Sequence, residues 1–477
     1  MSSSPSEVSK VSVKPIPGDY GIPFFGAIRD RLDYFYNQGK DEFFRTRVQK
    51  YQSTVFKTNM PPGPFIAKNP KVIAILDAIS FPVLFDTSKV EKRNVFVGTF
   101  FPSVSFTGGY RACAYLDPSE PKHTSLKSFF MSTLASRHND FIPLFRTCLS
   151  KLFLNIEDEM ASQKKANLNK PSNAISFNFV FRLFGNKDPS DTKLGSEGPA
   201  IVDKWLALQL APLATLGLPK YLEDTILHTF PLPFLYVKSD YNKLCDAFYE
   251  SSSSVLDKAE SFGIKRDEAC HNLVFLSGFN TYGGLKTWFP ILIKWVGTAG
   301  GELHSQLASE IRSVVKEEGG VTFQALDKMT LTKSVVFEAL RIEPPVPFQY
   351  GKAKEDIVVH SHDAAYEIKK GEMIFGYQPF ATKDPRVFDD PEEFLAHRFV
   401  GEGEKLLKYV YWSNGRETED PTAENKQCPA KDLVVLLSRV YLVEFFLRYD
   451  TFAVEITEAF AVGSTVTFTS LTKAKGI

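Results

Sequence analysis

A mainly α-helical fold with a small β-sheet region follows from three observations on this chain. Apolar residues recur over long stretches at 267–285, 330–341 and 433–447, lengths that suit helices better than strands. Strict alternation is confined to short segments late in the chain. No internal repeat or low-complexity tract is visible, so a solenoid or fibrous architecture is disfavoured.

The elements follow in order. Residues 1–14 are rich in Ser, Val and Lys without an apolar core, and are expected to form a flexible tail rather than a signal or anchor. They are also short for an organelle transit peptide. Pro15-Ile-Pro-Gly-Asp-Tyr-Gly-Ile-Pro23 reads as a rigid, turn-rich lead-in. Residues 163–199 mix Asn, Pro, Ser, Gly and Lys, and read as loops flanking one element. Residues 227–236, Leu-His-Thr-Phe-Pro-Leu-Pro-Phe-Leu-Tyr, form a greasy segment that suits either a buried connection or peripheral membrane contact. Residues 267–285 are apolar on several faces and predict a central buried helix. A further helix spans 330–341, with Thr330 as its expected cap and Pro344-Pro345 as its stop. Strands are expected at 357–359, 366–368, 373–375, 452–456 and 466–468.

Composition narrows the function. The 477 residues carry 56 basic and 56 acidic side chains, which argues against nucleic-acid binding driven by bulk charge. The 42 phenylalanines suit either ordinary core packing or a wide apolar cavity. Five scattered cysteines without a Cys-x-x-Cys pair disfavour a disulfide framework or zinc cluster, and fit a reducing compartment such as the cytoplasm. No apolar run approaches the length needed to span a bilayer.

Cys428, in Asn425-Lys-Gln-Cys-Pro-Ala-Lys431, precedes the apolar stretch 433–447. A thiol at a helix start is favoured as thiolate by unpaired N–H groups and the helix dipole. A thiolate is also one way to hold a haem iron from one side. Glu338 and Arg341 lie three apart, hence on one helix face. Alone, such a pair is ordinarily a solvated ion pair. Followed by Arg398-Phe399 and then Cys428, it resembles the Glu-Arg-Arg triad and thiolate ligand of cytochrome P-450.

The departures point to one branch. Ser277-Gly-Phe-Asn-Thr-Tyr-Gly-Gly-Leu-Lys286 has no acid beside Thr281, where an oxygen-dependent monooxygenase carries one; Asn280 stands there instead. Gly278, Gly283 and Gly284 are expected to permit close approach of a flat cofactor and a substrate. The loop before Cys428 is long, and the common Phe-x-x-Gly-x-Arg-x-Cys pattern is absent. With Asn59-Met-Pro-Pro-Gly-Pro64, Thr107-Gly-Gly-Tyr110, Asp117-Pro-Ser-Glu-Pro121, Pro344-Pro-Val-Pro347 and Gly376-Tyr-Gln-Pro379, these features resemble the plant fatty-acid-hydroperoxide branch. That branch holds allene oxide synthases, hydroperoxide lyases and divinyl ether synthases.

The resemblance implies a cytochrome P-450 fold, as a single domain over 15–477, with haem b held by Cys428 as axial thiolate. It places Lys92, His123, Lys127 and Lys426 at the haem carboxylates, and Glu338, Arg341 and Arg398 in the triad supporting the haem region. Asn280 would position a fatty acid hydroperoxide over iron, and Lys286 would lie near the substrate carboxylate or haem. The substrate brings its own O–O bond, so neither O2 nor a redox partner is needed. Phe96, in Asn94-Val-Phe-Val-Gly98, matches a position that tends to be Phe in allene oxide synthases and Leu in the other two groups. An aromatic face beside a carbon cation would favour the epoxide path. The Asn280 string is similar to that of synthases lacking a plastid peptide, which prefer 9-hydroperoxides. The expected activity is therefore hydroperoxide dehydration to allene oxides, on 9- and also 13-hydroperoxides, in oxylipin biosynthesis. A lyase or divinyl ether synthase is the nearest alternative. Ala430, where Gly is usual, and Ala396-His397, where Pro-Asp is common, motivate a second: a weakly catalytic haem- or lipid-binding protein of lipid bodies.

Overall fold

The computed structural model describes residues 13–458 and 464–475. Helices dominate, and the apolar stretch after Cys428 forms the core helix Lys431–Arg448, buried along most of its length. It is packed by the helices Phe141–Gln163, Gly301–Glu318 and Thr330–Ile342. Its residues Val440, Tyr441, Leu442 and Val443 are fully enclosed, so the stretch is apolar all round, as a central helix requires. The expected helix at 330–341 is present as Thr330–Ile342. Its cap is not Thr330, which lies inside the first turn. The Glu310 carboxylate, from the helix Gly301–Glu318, accepts the N–H groups of Leu331 (2.8 Å) and Thr332 (2.9 Å). An anion at a helix N-terminus satisfies orphan donors whichever element supplies it.

The central rod is longer than the stretch 267–285 suggests. It runs as Arg266–Val274, a π-helical segment Phe275–Tyr282, and Gly283–Ala299. Within the wider segment Thr281 Oγ1 donates to the Leu276 carbonyl at 2.9 Å, five residues back. Such π segments cluster at functional sites, because the extra residue re-aims side chains. Between 163 and 199 one long helix, Asn169–Phe184, stands between loops as expected.

The β structure is more than a late addition. The largest sheet has the order Val55–Asn59, Lys71–Ile75, Met373–Tyr377, Phe348–Ala353 and Val90–Glu91. Its early pair is antiparallel, and Lys71–Ile75 joins Met373–Tyr377 in parallel, Ile73 opposite Ile374. Both early strands are buried on two faces, which erases the alternation that marks a half-exposed strand. Smaller sheets pair Tyr449–Glu458 with Ser464–Lys473, and Ile357–His360 with Ala365–Ile368. Val13 and Lys14, expected in the tail, pair in parallel with Ala365 and Tyr366; residues 1–12 of that tail lie outside the described residues.

Candidate active site

Four basic side chains gather beside the Cys428 loop, brought from distant parts of the chain. His123 and Lys127 are one turn apart on the helix Pro121–Ser136. Lys92 follows the short strand Val90–Glu91, and Lys426 lies two residues before Cys428. Lys426 Nζ donates to the carbonyls of Cys113 (3.3 Å), Ala114 (2.9 Å) and Leu116 (2.9 Å). Lys127 Nζ donates to the backbone and side-chain oxygens of Asn425, at 2.5 and 2.8 Å. Lys92 Nζ donates to the Tyr350 carbonyl. His123 is enclosed, and its Nδ1 has no partner.

Among the described residues none of these four groups makes an ion pair. The nearby Asp117 carboxylate accepts the N–H groups of Lys92 (2.7 Å) and Ser119 (3.0 Å). Burial, reinforced by Lys426, pushes Lys92 down to about 7. Burial brings Lys127 down to about 8. Burial, then Lys426 and Lys127, push His123 down to about 3. Burial lowers Lys426 as well. Buried cations answered only by carbonyl dipoles, with one unpartnered imidazole nitrogen, make a site that favours an anion.

Cys428 lies three residues ahead of the helix Lys431–Arg448 rather than in its first turn. Its carbonyl accepts the Lys431 N–H at 3.2 Å, and the Ala430 N–H points to its sulfur. Burial raises the free thiol; the Ala430 N–H and Lys127 oppose that. Ala430 has φ −102° and ψ 18°, a conformation open to any L-residue, so its methyl adds no backbone strain. Gln427 donates to the Arg416 carbonyl at 2.6 Å and ties the loop to the hairpin Tyr411–Trp412/Gly415–Arg416. Gly415 is required there, since a Cβ would lie 2.5 Å from the Gln427 side chain.

The triad is fully assembled. Arg341 donates to Glu338 through Nε (2.7 Å) and Nη2 (2.8 Å). Arg398 Nε reaches both Glu338 oxygens, at 3.0 and 3.1 Å. Glu338 and Arg341 are completely buried. The remaining guanidinium donors hold carbonyls of Thr382, Pro391 and Glu393 from Arg341, and of Asp389 and Asp390 from Arg398. The triad therefore clamps the 382–398 chain.

On the central rod, Asn280 is exposed although most of its π segment is buried, and among the described residues its side-chain amide has no hydrogen-bond partner. Phe279, beside it, meets the Phe96 ring edge-on with centroids 5.7 Å apart and stacks on Phe275 at 4.6 Å. The structure thus brings Phe96 to the Asn280 segment. It does not free Lys286, whose Nζ is 2.7 Å from Asp203 Oδ1. The Tyr282 hydroxyl donates to the same oxygen at 2.9 Å. Lys286 thus pairs the rod with the helix Gly198–Leu210. Gly278 and Gly283 serve that contact too: a Cβ on Gly278 would lie 3.3 Å from Trp205 and Val202, and one on Gly283 3.4 Å from Leu206. Only Gly284 faces open space. Asp203, Asn425 and Gln427 escaped the sequence reading. The Asn425-Lys-Gln-Cys428 string was the one available signal for the last two.

Residues 301–415 match the model of the cytochrome P-450 family. Allene oxide synthase 3 of Solanum lycopersicum is 57% identical, over 99% of this chain and 97% of its own. Allene oxide synthase 1, chloroplastic, of the same plant is 57% identical, over 99% of this chain and 89% of its own. A divinyl ether synthase of that plant is 53% identical over 99% of both chains. The chain belongs to the cytochrome P-450 family.

A cytochrome P-450 carries haem iron, and the residues here fit it. The uncompensated cations Lys92, Lys127 and Lys426, with the unpartnered His123 Nδ1, match two haem carboxylates. Cys428, with an N–H aimed at its sulfur, matches a thiolate ligand.

Proposed function

We propose that this cytochrome P-450 is an allene oxide synthase: it dehydrates fatty acid hydroperoxides, 9-hydroperoxides first and 13-hydroperoxides second, without O2 or a reductase. The observation that carries the reading is the Asn280 amide. It is exposed, has no partner among the described residues, sits on the rod where a monooxygenase would need an acid, and is flanked by the Phe96–Phe279 ring pair. Full-length likeness to allene oxide synthases supports it. Haem, when bound, supplies a ferric centre able to cleave the O–O bond that the substrate brings. Asn280 donates an amide N–H to the hydroperoxide and orients it; the carbonyl of the same amide accepts a hydrogen bond from its O–H. Phe96 presents a ring to the carbon where positive charge develops, which favours the epoxide path over chain cleavage. Asp203 fixes this segment through Tyr282 and Lys286.

Divinyl ether formation is the second reading, since a synthase of that kind is 53% identical. Incubation of the purified protein with 9-hydroperoxy-linoleate and its 13-isomer decides between them. Ketols from allene oxide hydrolysis are expected; nine-carbon aldehydes or divinyl ethers would reassign the branch. Absence of turnover would leave the lipid-binding alternative.

Peripheral membrane contact belongs to the same proposal. The segment 227–236 is only partly open, with Leu227 and His228 buried. The exposed apolar face begins earlier, in the helix Lys220–His228, with Tyr221, Leu222 and Ile226, and continues through Phe230, Leu235 and Tyr236. Arg31 fastens this helix to Phe25–Leu32 through Asp224 (2.6 Å) and the His228 carbonyl (2.9 Å), next to exposed Phe24 and Phe25. No described helix is long and apolar enough to cross a membrane. Sedimentation with lipid vesicles tests the contact, and a Tyr221→Ser/Leu222→Ser variant should lose it. A cytoplasmic location completes the proposal, to be tested by separating plastids from cytosol.

A further inference from the structure

Two thiols meet on the far end of the central rod. Cys245 stands on the helix Lys238–Ser251 and Cys270 on Arg266–Val274, and where these helices pack the sulfur atoms are 3.8 Å apart. Cys245 Sγ is also 3.6 Å from His271 Nδ1, and that nitrogen is 2.7 Å from the Tyr241 hydroxyl. His271 Nε2 lies 3.7 Å from Asp267 Oδ1. Cys270 is completely buried, whereas Cys245 is partly accessible. The other three cysteines stand elsewhere: Cys148 Sγ is 3.5 Å from Asn178 Oδ1, Cys113 lies beside Lys426, and Cys428 belongs to the active site. None of this pairing is used by the reaction above.

We propose that Cys245 and Cys270 are a peroxide-oxidisable dithiol, with Cys245 the attacking sulfur and Cys270 the resolving one. The accessible sulfur has the His271 imidazole 3.6 Å away, and the buried sulfur stands 3.8 Å from it. A disulfide needs sulfurs about 2.05 Å apart, and the present separation of 3.8 Å leaves a short approach. The hydrogen bond from Cys270, then that from His271, hold the Cys245 thiol below its ordinary range against burial. The same pairing, with burial, raises Cys270. That asymmetry agrees with the order of attack.

The chemistry balances with a peroxide as oxidant. Cys245 sulfur attacks one oxygen of the O–O bond, the other leaves as alcohol or water, and Cys245 becomes a sulfenic acid. Cys270 sulfur then displaces that hydroxyl as water and closes the S–S bond, its proton passing to the departing oxygen. Two thiols and one peroxide give one disulfide, one alcohol and one water (two waters from hydrogen peroxide). Two sulfurs supply the two electrons. The bridge would tie Lys238–Ser251 to the helix that continues into the π segment carrying Asn280. The site stands apart from the dehydratase reading, because any peroxide serves.

Treatment of the haem-loaded protein with one equivalent of hydrogen peroxide, followed by alkylation and peptide mapping, tests this. A cross-linked Cys245–Cys270 peptide pair is expected, lighter by two hydrogens than the free thiols and restored by dithiothreitol. Cys270→Ser should leave a sulfenic acid on Cys245 that dimedone traps, and Cys245→Ser should abolish both products with the haem spectrum unchanged. Both thiols alkylated to the same extent before and after peroxide would overturn the proposal. So would oxidation of Cys270 in the Cys245→Ser variant at the wild-type rate. Should either serine variant misfold, peroxide treatment of the unsubstituted protein still gives a decisive peptide map.

Discussion

Glu338→Gln should remove about 3–5 kcal/mol of stability, the range for breaking a buried ion pair by neutralising one partner. The magnitude follows from what the carboxylate holds. It accepts two bonds from Arg341, two contacts from Arg398 Nε and the Leu395 N–H at 2.9 Å, all without solvent. Glutamine keeps the volume but turns an NH2 group toward guanidinium donors, so at least one buried charge loses its acceptor. The loss spreads, because both arginines also hold the carbonyls of 382–393. Urea unfolding followed by tryptophan fluorescence reads the difference. The control is Glu404→Gln, an exposed carboxylate whose half-buried partner Lys333 lies 3.3 Å away, where a change below about 0.5 kcal/mol is expected. A Glu338→Gln loss within about 1 kcal/mol of that control would refute the view that the triad holds this region through charge.

Asn280→Ala should lower kcat/KM on a fatty acid hydroperoxide by roughly 10²–10³, the effect of removing one oriented donor, while haem absorbance is retained. Phe96→Leu should move product from ketols toward ethers or aldehydes, read by chromatography of the same incubations. Lys426→Met should weaken haem retention by about ten- to a hundred-fold, as loss of a charge-assisted bond of ~1.5–3 kcal/mol implies. Its haem-free form should be the more urea-resistant one, since an uncompensated buried charge is gone. Glu417, between Trp412 and Lys431, is raised by burial from 4.5 to about 7. The folded state therefore binds a proton that the unfolded state releases. That contribution is complete below 4.5 and fades as pH rises through about 7, by up to ~3 kcal/mol in all. Glu417→Gln should flatten urea stability across this window; an unchanged slope would exclude Glu417 as its source.

The sequence disclosed what is local. Helix period placed Glu338 and Arg341 on one face, and motif order joined them to Arg398 and Cys428. Sites assembled from afar were legible only through resemblance: Lys92, His123, Lys127 and Lys426 share no spacing that would mark an anion site. Where tertiary structure overrode a local cue, the reading failed. Thr330 looked like a cap, but Glu310 reaches in from another helix. Gly278 looked like room for a cofactor, but it makes room for Trp205. The strands Val55–Asn59 and Lys71–Ile75 lacked alternation because both their faces are buried.

Two charge clusters work in opposite senses, and this explains how an anion-binding site coexists with a stable fold. In the triad, two arginines share one carboxylate, and their excess positive charge is spread over carbonyls that are thereby pinned. That cluster is complete without any ligand. Beside the thiol loop, three lysines and a histidine have carbonyls but no carboxylate of their own, so each is driven toward its neutral form by burial and by its neighbours. A ligand with two carboxylates reverses that: each cation regains its charge as it gains a partner, so binding should take up protons near neutral pH. Isothermal titration of the haem-free Cys428→Ser variant with haemin, in which no thiol proton is given up to the iron, in buffers of different ionisation enthalpy measures this uptake. Proton release, or none, would mean that the cluster does not face the carboxylates.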